Sequence, residues 1–357
     1  MRRLRRALKR WAAIFVSILL GGPGTAMLGP IRRILVVRID ERVGNVLLTT
    51  PLLAALRRAF PEAALDLLVS ASKVSLVTGL ANLIPFEKRS FFRRPWAFWA
   101  LIRRLRQRDY DVVIDASHWH HFSASSAMLL ALIGRRARIA HDRGEARRFA
   151  ALLVPAPSEP EPEVLTKLRL LWPLGVRPQL EPVTTSLGAS PEAHAATAAW
   201  LEGQGLARGV LVGLAPGARK LDHRVDPEVF AALGRLAKQL GAIPVVLWGP
   251  GEEALAARVG SDGEAILAPP TNLEALASLM RRCSVVVTND TGPMHLAVAA
   301  GAPTIALFRG GDPSRWGHQH PPHQMIATDG CSQAEVVAAA GRAVETAVKQ
   351  AKGRPPD

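Results

Sequence analysis

A strand, a tight polar turn, a helix and a second strand follow one another in residues 283–308. Residues 284–287 form a short apolar run rich in β-branched side chains, which is typical of a buried parallel strand. Residues 294–300 have helical composition and end before a glycine and a proline, and residues 304–308 predict the next strand. This order of elements predicts a parallel α/β sheet.

The turn inside this unit has the features of an anion site. Asn289, Asp290 and Thr291 are residue types that favour helix N-caps, and Pro293 suits the first helical position because it lacks an N–H. A helix N-terminus leaves backbone N–H groups unpaired, and these attract anions. His295 lies in the first turn of the predicted helix, close to any ligand there. A well-capped helix without a ligand is the alternative.

The same alternation of strands and helices occurs in two series along the chain. The first begins at residues 34–39 and the second at residues 210–214, with residues 154–191, proline-rich at both ends, between them. We therefore predict the fold class α/β, with doubly wound parallel sheets. The predicted parts are a basic and apolar leader, an N-terminal α/β domain and a C-terminal α/β domain with a final helix: residues 1–30, 31–180 and 181–357.

The charge of the chain points to an anionic partner. The formal net charge is +15, and basic clusters occupy residues 2–10 and 88–108. Neither cluster has zinc-finger spacing or the aromatic pattern of RNA-binding domains, so nucleic acid is disfavoured as a partner. An anionic membrane surface or a phosphorylated glycolipid fits better. The two cysteines, Cys283 and Cys331, are too few for a disulfide framework and fit a reducing cytoplasm.

Residues 11–20 are apolar and directly follow the first basic cluster. Such a segment is too short to span a bilayer. We expect residues 1–20 to form a helix in the interface of the cytoplasmic face of the membrane, with basic side chains toward lipid phosphates. A disordered leader is the alternative. A secretory signal peptide is disfavoured, because no Ala-x-Ala-like cleavage site stands out in the sequence.

The run Asn-Asp-Thr-Gly-Pro-Met-His-Leu-Ala at residues 289–297 resembles the C-terminal signature of glycosyltransferase family 9, the ADP-heptose:lipopolysaccharide heptosyltransferases. Further segments with family-like residues are 34–51, 109–115, 168–175, 215–228 and 247–252. The resemblance implies the glycosyltransferase B architecture, with two Rossmann-like domains facing a cleft. In that architecture residues 31–180 would be the acceptor-side domain and residues 181–357 the nucleotide-sugar-binding domain. It also implies an inverting, metal-independent transfer of a heptose-like sugar from a nucleotide-diphosphate donor such as ADP-heptose to a lipopolysaccharide-type glycolipid, without a cofactor.

The resemblance implies which groups stabilise the leaving diphosphate. A transferase without a metal needs fixed positive potential at that place. The backbone amides of Thr291 and Gly292 can supply part of it, and Arg224 can add a charge-assisted contact. Lys220 is the alternative cation. Without this resemblance, the alternative interpretation of Arg224 is an ordinary solvated cation in a loop.

Three further donor-site residues follow from the same resemblance. Glu252 comes after a strand end, where a carboxylate can accept both hydroxyls of a ribose. Asp290 would repel a diphosphate, so we expect it to cap the helix or bind sugar hydroxyls. His295 is expected near the donor phosphates. The alternatives are a first-turn acid that stabilises a helix for Glu252 and a packed first-turn residue for His295.

Asn45 departs from the family pattern, which has an aspartate there as the expected acceptor-activating base. An amide cannot take a proton. We predict that Asp40 is the base, because it follows the first strand and ligands of open α/β sheets bind beyond strand ends. Glu41 is the second choice, and Asn45 could orient the acceptor. Alternatively, Asp40 caps the turn or pairs with Arg38 or Arg42.

His118, His120 and His121 form a cluster after the predicted strand at residues 112–114. No acidic residue or cysteine completes it at a known zinc spacing, so we predict no metal site and favour acceptor contact or a plain loop.

Three functions stay open at this stage. The first is the transferase, and the second is a catalytically weakened nucleotide-sugar-binding or scaffold protein at the membrane. The third is a basic nucleic-acid-associated protein. A dinucleotide oxidoreductase is disfavoured, because no Gly-x-Gly-x-x-Gly follows the first strand of either series.

Overall fold

The structure is a computed structural model that describes residues 22–89, 93–177, 185–188 and 190–353. The chain divides into two compact units, Met1–Val183 and Thr184–Asp357, called unit 1 and unit 2 below. In the described residues, each unit contains one six-stranded sheet in which all strand pairs are parallel. The α/β class predicted from the sequence is confirmed. The predicted interfacial helix at residues 1–20 lies outside the described residues.

The described part of unit 1 contains the strands β1 (Arg33–Arg38), β2 (Ala64–Ser70), β3 (Asn82–Phe86), β4 (Val112–Asp115), β5 (Ala137–His141) and β6 (Leu152–Val154). Its α-helices are α1 (Val43–Leu47), α2 (Thr50–Ala59), α3 (Pro95–Gln107), α4 (Ala124–Ile133) and α5 (Glu163–Leu168). Short 3₁₀ helices lie at Ala71–Val77, Ala146–Arg148 and Arg169–Leu174. The strand order is β3-β2-β1-β4-β5-β6. Residues 34–37 of β1 are almost completely buried, as expected for the central strand of a parallel sheet covered on both faces.

Unit 2 repeats this plan within the part of the chain that is described. Its strands are β7 (Leu211–Ala215), β8 (Ile243–Val246), β9 (Ile266–Leu267), β10 (Val285–Asn289), β11 (Thr304–Phe308) and β12 (Gln324–Ala327). Its α-helices are α6 (Pro191–Gly203), α7 (Pro227–Gln239), α8 (Glu253–Asp262), α9 (Leu273–Arg282), α10 (Gly292–Ala299), α11 (Pro313–Trp316) and α12 (Gln333–Lys352), and a 3₁₀ helix lies at Leu221–His223. The strand order is β12-β11-β10-β7-β8-β9.

Both sheets have the strand order of a Rossmann fold, 3-2-1-4-5-6 in the numbering of each unit. The first strand of each unit, β1 or β7, lies between the second and the fourth strand. At this point the direction in which strands are added reverses, which opens a crevice beyond the carboxyl ends of the two central strands. The residues that follow β1 and β4 in unit 1, and β7 and β10 in unit 2, therefore occupy the positions where ligands bind in such sheets.

Unit 1 also takes in part of the segment predicted as a leader. Thr25 forms a parallel bridge with Ala137 of β5, and Nη1 of Arg138 donates to the Gly22 carbonyl at 2.7 Å. Gly22 and Thr25 thus contact β5 of unit 1, whereas most of residues 23–30 are exposed. Among the described residues, no helix combines the length and the apolar character that crossing a membrane requires.

Candidate active site

One side chain joins the loops that follow β7 and β10 at the reversal point of unit 2. Asn289, the last residue of β10, is fully buried. Its Nδ2 donates to the Pro216 carbonyl at 2.8 Å, and its Oδ1 accepts from the Val225 N–H at 2.9 Å. Of the three N-cap types in this turn, Thr291 and not Asn289 is the N-cap residue. Asn289 holds the loop after β7 against the start of α10, because its amide pairs with a donor and an acceptor at once.

The N-terminus of α10 has no side-chain cap. The N-cap residue is Thr291, and its hydroxyl donates to the Asn289 carbonyl at 3.3 Å instead of accepting from a first-turn N–H. The positive end of the helix can therefore act on an anion in the loop. Gly292, the first helical residue, has no Cβ and permits close approach to the backbone.

His295, in the first turn of α10, pairs with a second histidine. Its Nδ1 lies 2.9 Å from Nε2 of His318, and both rings are buried. Burial lowers the pKa of His295 to about 4 and the pKa of His318 to about 2. The pair is therefore neutral at pH 7, so that His295 offers a ligand a hydrogen bond and no positive charge.

Two basic side chains in the loop after β7 have no ion-pair partner among the described residues. Arg224 directly follows the 3₁₀ helix Leu221–His223 and is partly buried, and Lys220 precedes it and is exposed. Nη1 of Arg309 donates to the Arg224 carbonyl and to Asp226, each at 3.0 Å. Arg309, which follows β11, thus fixes the backbone of Arg224 and leaves its guanidinium for a ligand.

Glu252 lies across the loops that follow β7 and β8. Its Oε2 accepts from the Gly249 N–H at 3.0 Å. A Cβ at Gly217 would overlap the Glu252 carboxylate, so glycine is needed at residue 217 for this approach. A carboxylate has more acceptor positions than this one hydrogen bond uses, and the remaining ones can serve ligand hydroxyls.

Asp290 does not cap α10. Its Oδ2 lies 3.5 Å from Nδ1 of His223, and a Cβ at Gly311 would overlap its carboxylate. Burial raises the pKa of the Asp290 carboxyl, and His223 partly opposes this effect. The fold thus gathers all the predicted donor residues around the carboxyl ends of the central strands of unit 2.

Arg38 spans the reversal point of unit 1. It is the last residue of β1 and is almost completely buried. Its Nε donates to the Asn45 carbonyl at 3.0 Å and its Nη1 to the Ala116 carbonyl at 2.7 Å, and its Nη2 lies 3.3 Å from Nε2 of His118. Arg38 thereby joins the loop after β1 to the loop after β4.

Asp40 lies in the loop after β1 and accepts two hydrogen bonds. Its Oδ1 accepts from the Arg42 N–H and its Oδ2 from Nδ2 of Asn45, each at 2.8 Å. Burial raises the pKa of the Asp40 carboxyl, but the charge of Arg38 and these two hydrogen bonds outweigh burial and hold the pKa below its ordinary value. Asn45 therefore orients Asp40, and Asp40 is ionised at neutral pH.

Glu41, the second choice as base, is exposed. Its Oε2 accepts from the Ser72 hydroxyl at 2.7 Å, and this hydrogen bond is the main reason why the pKa of Glu41 is lowered. Glu41 shares no hydrogen bond with Asp40 among the described contacts, so the two carboxylates can be tested separately.

A buried ion pair supports the loop after β4. Glu163 and Lys167 of α5 are completely buried, with Nζ of Lys167 2.8 Å from Oε1 of Glu163. The same Oε1 lies 2.5 Å from Nδ1 of His118, and Nζ of Lys167 also donates to the Ser117 carbonyl at 2.8 Å. Burial raises the pKa of Glu163, but Lys167 and His118 outweigh it and hold the pKa well below its ordinary value. Burial lowers the pKa of His118 to about 3.

The fold adds an acidic side chain to the predicted histidine cluster. Ligand atoms of His118, His120 and Glu163 lie within 4.8 Å of one another, whereas His121 is exposed. No acidic residue lies at a known zinc spacing in the sequence, and α5 instead brings Glu163 to the cluster from 45 residues away in the chain. The ammonium of Lys167 already neutralises Glu163. A cation added there would meet that ammonium, so the arrangement fits an ion-pair network better than a metal centre.

Comparison with known sequences identifies the family. The sequence profile of glycosyltransferase family 9 (heptosyltransferase) matches residues 98–339. The chain belongs to glycosyltransferase family 9. As a member of this family it is a glycosyltransferase, which confirms the resemblance and the enzyme class inferred from the motifs. Lipopolysaccharide heptosyltransferase 3 of Escherichia coli is 26% identical over 291 residues, which are 76% of this chain and 82% of the relative.

Solved structures of the family share the fold. The glycosyl transferase family 9 protein of Veillonella parvula matches with a TM-score of 0.77 and 21% identity, over 89% of this chain and 97% of that protein. The E. coli ADP-heptose lipopolysaccharide heptosyltransferase II matches with a TM-score of 0.72 and 20% identity, over 90% and 100% of the two chains. These matches confirm the predicted two-domain glycosyltransferase B fold class.

Sequence reasoning missed several partners of the predicted residues. One is His318, which pairs with His295. Another is Arg309, which fixes the backbone of Arg224, and a third is Arg38, which holds the loop after β4. The spacing of Glu163 and Lys167, four residues apart in a helical segment, was a usable signal for an ion pair. The contact between His295 and His318 had no comparable local signal.

Proposed function

We propose that this family 9 glycosyltransferase transfers a heptose-like sugar from an ADP-heptose-type donor to a lipopolysaccharide-type glycolipid. The observation that carries the proposal is the uncapped N-terminus of α10 at Gly292, together with the guanidinium of Arg224, which has no ion-pair partner among the described residues. Together they form an anion site at the reversal point of a Rossmann-like sheet. Relatives named lipopolysaccharide heptosyltransferase and a structural neighbour with ADP-2-deoxy-2-fluoro heptose support the choice of donor and acceptor.

In the proposed reaction, Asp40 takes the proton of the acceptor hydroxyl while that oxygen attacks the anomeric carbon of the donor sugar. A glycosidic bond forms, and the bond between the anomeric carbon and the diphosphate oxygen breaks. The diphosphate leaves with the bonding electrons. Arg224 and the backbone amides of Thr291 and Gly292 stabilise the negative charge that develops on it. Attack by the acceptor in a single displacement inverts the anomeric configuration.

We further propose that the reaction needs no metal ion, since the groups that stabilise the leaving diphosphate belong to the chain. Transfer in the presence of excess chelator should therefore proceed at the rate measured without it. A loss of transfer on chelation that added Mg²⁺ or Mn²⁺ restores would contradict this part of the proposal.

The donor site can be tested by binding of a nucleoside diphosphate. Arg224→Ala should weaken binding by about 10- to 100-fold, because a hydrogen bond to a charged group contributes roughly 1.5–3 kcal/mol. Gly292→Val should weaken it as well, because a branched side chain blocks approach to the backbone. The matched control is Arg342→Ala, which removes an exposed arginine of α12. If folded Arg224→Ala and Gly292→Val proteins both bind like the unaltered chain, the donor site is elsewhere.

We also propose that the protein works at the cytoplasmic face of the membrane, attached there by residues 1–20. The support is the basic cluster at residues 2–10 followed by the apolar residues 11–20. Deletion of residues 1–21, which keeps the contacts of Gly22 and Thr25, should lower sedimentation with anionic vesicles by more than about tenfold. Neutral vesicles are the control. Unchanged sedimentation, or a protease-protected periplasmic product in cells, would refute this attachment.

A second candidate function is a nucleotide-sugar-binding protein with little turnover. The observation that favours it is Asn45, whose amide donates to Asp40 where the family pattern has an aspartate. Such a protein would bind the donor and release no nucleoside diphosphate in the presence of acceptor glycolipid. Turnover of the donor therefore separates the two functions.

A further inference from the structure

Helix α3 of unit 1 exposes two large aromatic side chains. Trp96 is 70% exposed and Trp99 is 51% exposed, whereas Phe98, Ile102 and Leu105 on the inner side of the same helix are buried. Residues 96, 99, 103 and 106 follow one another at intervals of three and four, so they lie on one face of the helix. The burial of Phe98, Ile102 and Leu105 explains why α3 packs on unit 1. It does not explain why two tryptophans of the same helix are exposed.

The same face of α3 borders a cavity with several arginines. A cavity of about 290 Å³ is lined by Trp99, Ile102, Arg103, Arg106, Gln107 and Arg135. Arg135 lies just after α4, and Arg106 donates from Nη1 to the Leu132 carbonyl at 3.3 Å. Neither Arg103 nor Arg135 has a hydrogen-bond or ion-pair partner in the part of the chain that the structure describes. Three guanidinium groups thus surround a space with no acidic side chain in its lining.

The segment that contains this face of α3 carries only positive charges. Residues 88–108 contain eight arginines and lysines and no aspartate or glutamate. Tryptophan prefers the interface between lipid head groups and acyl chains, because its ring is apolar and its N–H is polar. Arginine side chains can extend an apolar stem along this layer and place the charge at the phosphates. An exposed pair of tryptophans beside arginines therefore matches the surface of an anionic bilayer.

We propose that the face of α3 formed by Trp96, Trp99, Arg103 and Arg106, together with Arg135, docks on an anionic lipid bilayer. The tryptophans enter the interface and the cavity accepts a lipid phosphate. This docking face is separate in sequence from residues 1–20 and does not depend on the proposed reaction. Two exposed tryptophans favour a bilayer over duplex nucleic acid, because a duplex keeps its bases stacked inside and offers phosphates to arginines alone.

The test is sedimentation of the full chain with vesicles that contain no glycolipid and no nucleotide. Each arginine near an anionic surface contributes about fivefold to the partition coefficient, so Arg103→Gln/Arg135→Gln should lower it by roughly 25-fold. Arg57→Gln/Arg58→Gln is the matched control, since it removes two exposed arginines of α2 in the same unit and should leave the coefficient near that of the unaltered chain. An equal fall in both double variants would mean that only net charge matters and would overturn the proposal.

Depth of insertion gives an independent readout. Trp11 lies in the proposed membrane segment, so the readout uses a chain that carries Trp11→Phe. Anionic vesicles with brominated lipids should quench the tryptophan fluorescence of this chain, and adding Trp96→Phe/Trp99→Phe should remove most of the quenching while the thermal midpoint is kept. Unchanged quenching in that variant would overturn the proposal. Equal binding of the unaltered chain to neutral and anionic vesicles would also overturn the proposal. The same holds if the chain binds a generic DNA duplex and Arg103→Gln/Arg135→Gln abolishes this binding but leaves vesicle binding intact. Transfer to a short water-soluble acceptor should stay near normal in these variants, so failure here is distinct from failure of the proposed reaction.

Discussion

Replacement of Asp40 by asparagine is expected to lower the rate of sugar transfer by about 10²–10⁴-fold, the usual effect of losing a general base. The physical reason is that Asn keeps the shape of the side chain and cannot accept a proton. Asp40 has the position for this role, because it lies beyond the end of β1 at the reversal point of unit 1. Its two hydrogen bonds, from Arg42 and Asn45, use one acceptor position on each oxygen and leave others for an acceptor hydroxyl.

The measurement is kcat at saturating donor and acceptor for Asp40→Asn, with Glu41→Gln as the matched control. Glu41→Gln should stay near the normal rate, since its carboxylate is exposed and bonded to Ser72. Near-normal turnover in Asp40→Asn would remove Asp40 as the base. A large gain in Asn45→Asp would indicate that the natural chain lacks its catalytic carboxylate and would favour the binding protein.

The pH dependence follows from the lowered pKa of Asp40. A carboxylate with a lowered pKa stays ionised until the pH falls below its ordinary value of about 3.9. If Asp40 is the base, the rate should hold through neutral pH and fall only below about pH 4, provided the chain stays folded there. A rate that is lost between about pH 6 and 7 would point to a group with a higher pKa and against Asp40.

Glu163→Gln is expected to destabilise unit 1 by about 3–5 kcal/mol, the typical effect of breaking a buried ion pair. The side chains of Glu163 and Lys167 are completely buried, so the substitution leaves the Lys167 ammonium without its counter-ion. It also removes the carboxylate oxygen that pairs with Nδ1 of His118. Denaturant unfolding followed by circular dichroism measures the change.

Asp109→Asn is the matched control for Glu163→Gln, because it breaks an ion pair with Arg136 in which both side chains are about half exposed. Exposed pairs contribute roughly 0–1 kcal/mol, so this variant should unfold close to the unaltered chain. The double variant Glu163→Gln/Lys167→Met should be more stable than Glu163→Gln alone, since no unpaired charge stays buried. Equal effects of Glu163→Gln and Asp109→Asn would contradict the buried-pair account.

The interior strands were predictable from sequence and the edge strands were not. Strands β1, β2, β7 and β10 appear in the sequence as mainly apolar runs, because an interior strand of a parallel sheet is buried on both faces. The edge strands lack this signal. Strand β9 has two residues, β3 contains Pro85, and β12 is only partly buried, so sheet pairing rather than composition makes them strands.

The turn at residues 290–295, the predicted donor loop, could be located from the sequence because its residues are contiguous. Residues 290–295 form the turn and the start of α10, so one motif located them all. The partners were not predictable, since Glu163 reaches His118 across 45 residues and His318 reaches His295 across 23. Tertiary packing brings such pairs together, and the spacing of the residues in the sequence does not indicate which distant side chains will meet. The role of Asn289 escaped prediction for the same reason, because its hydrogen bonds reach Pro216 and Val225.

The most direct test of the account is a single incubation of the purified chain with ADP-heptose and a lipopolysaccharide acceptor that lacks outer heptose, in the presence of chelator. The glycolipid is analysed by mass spectrometry and the released ADP is measured in parallel. We predict a glycolipid that carries one additional heptose, ADP in equal amount, and loss of both in Arg224→Ala and Asp40→Asn. A donor that binds tightly to the chain while neither product forms would contradict the transferase account and leave a nucleotide-sugar-binding protein.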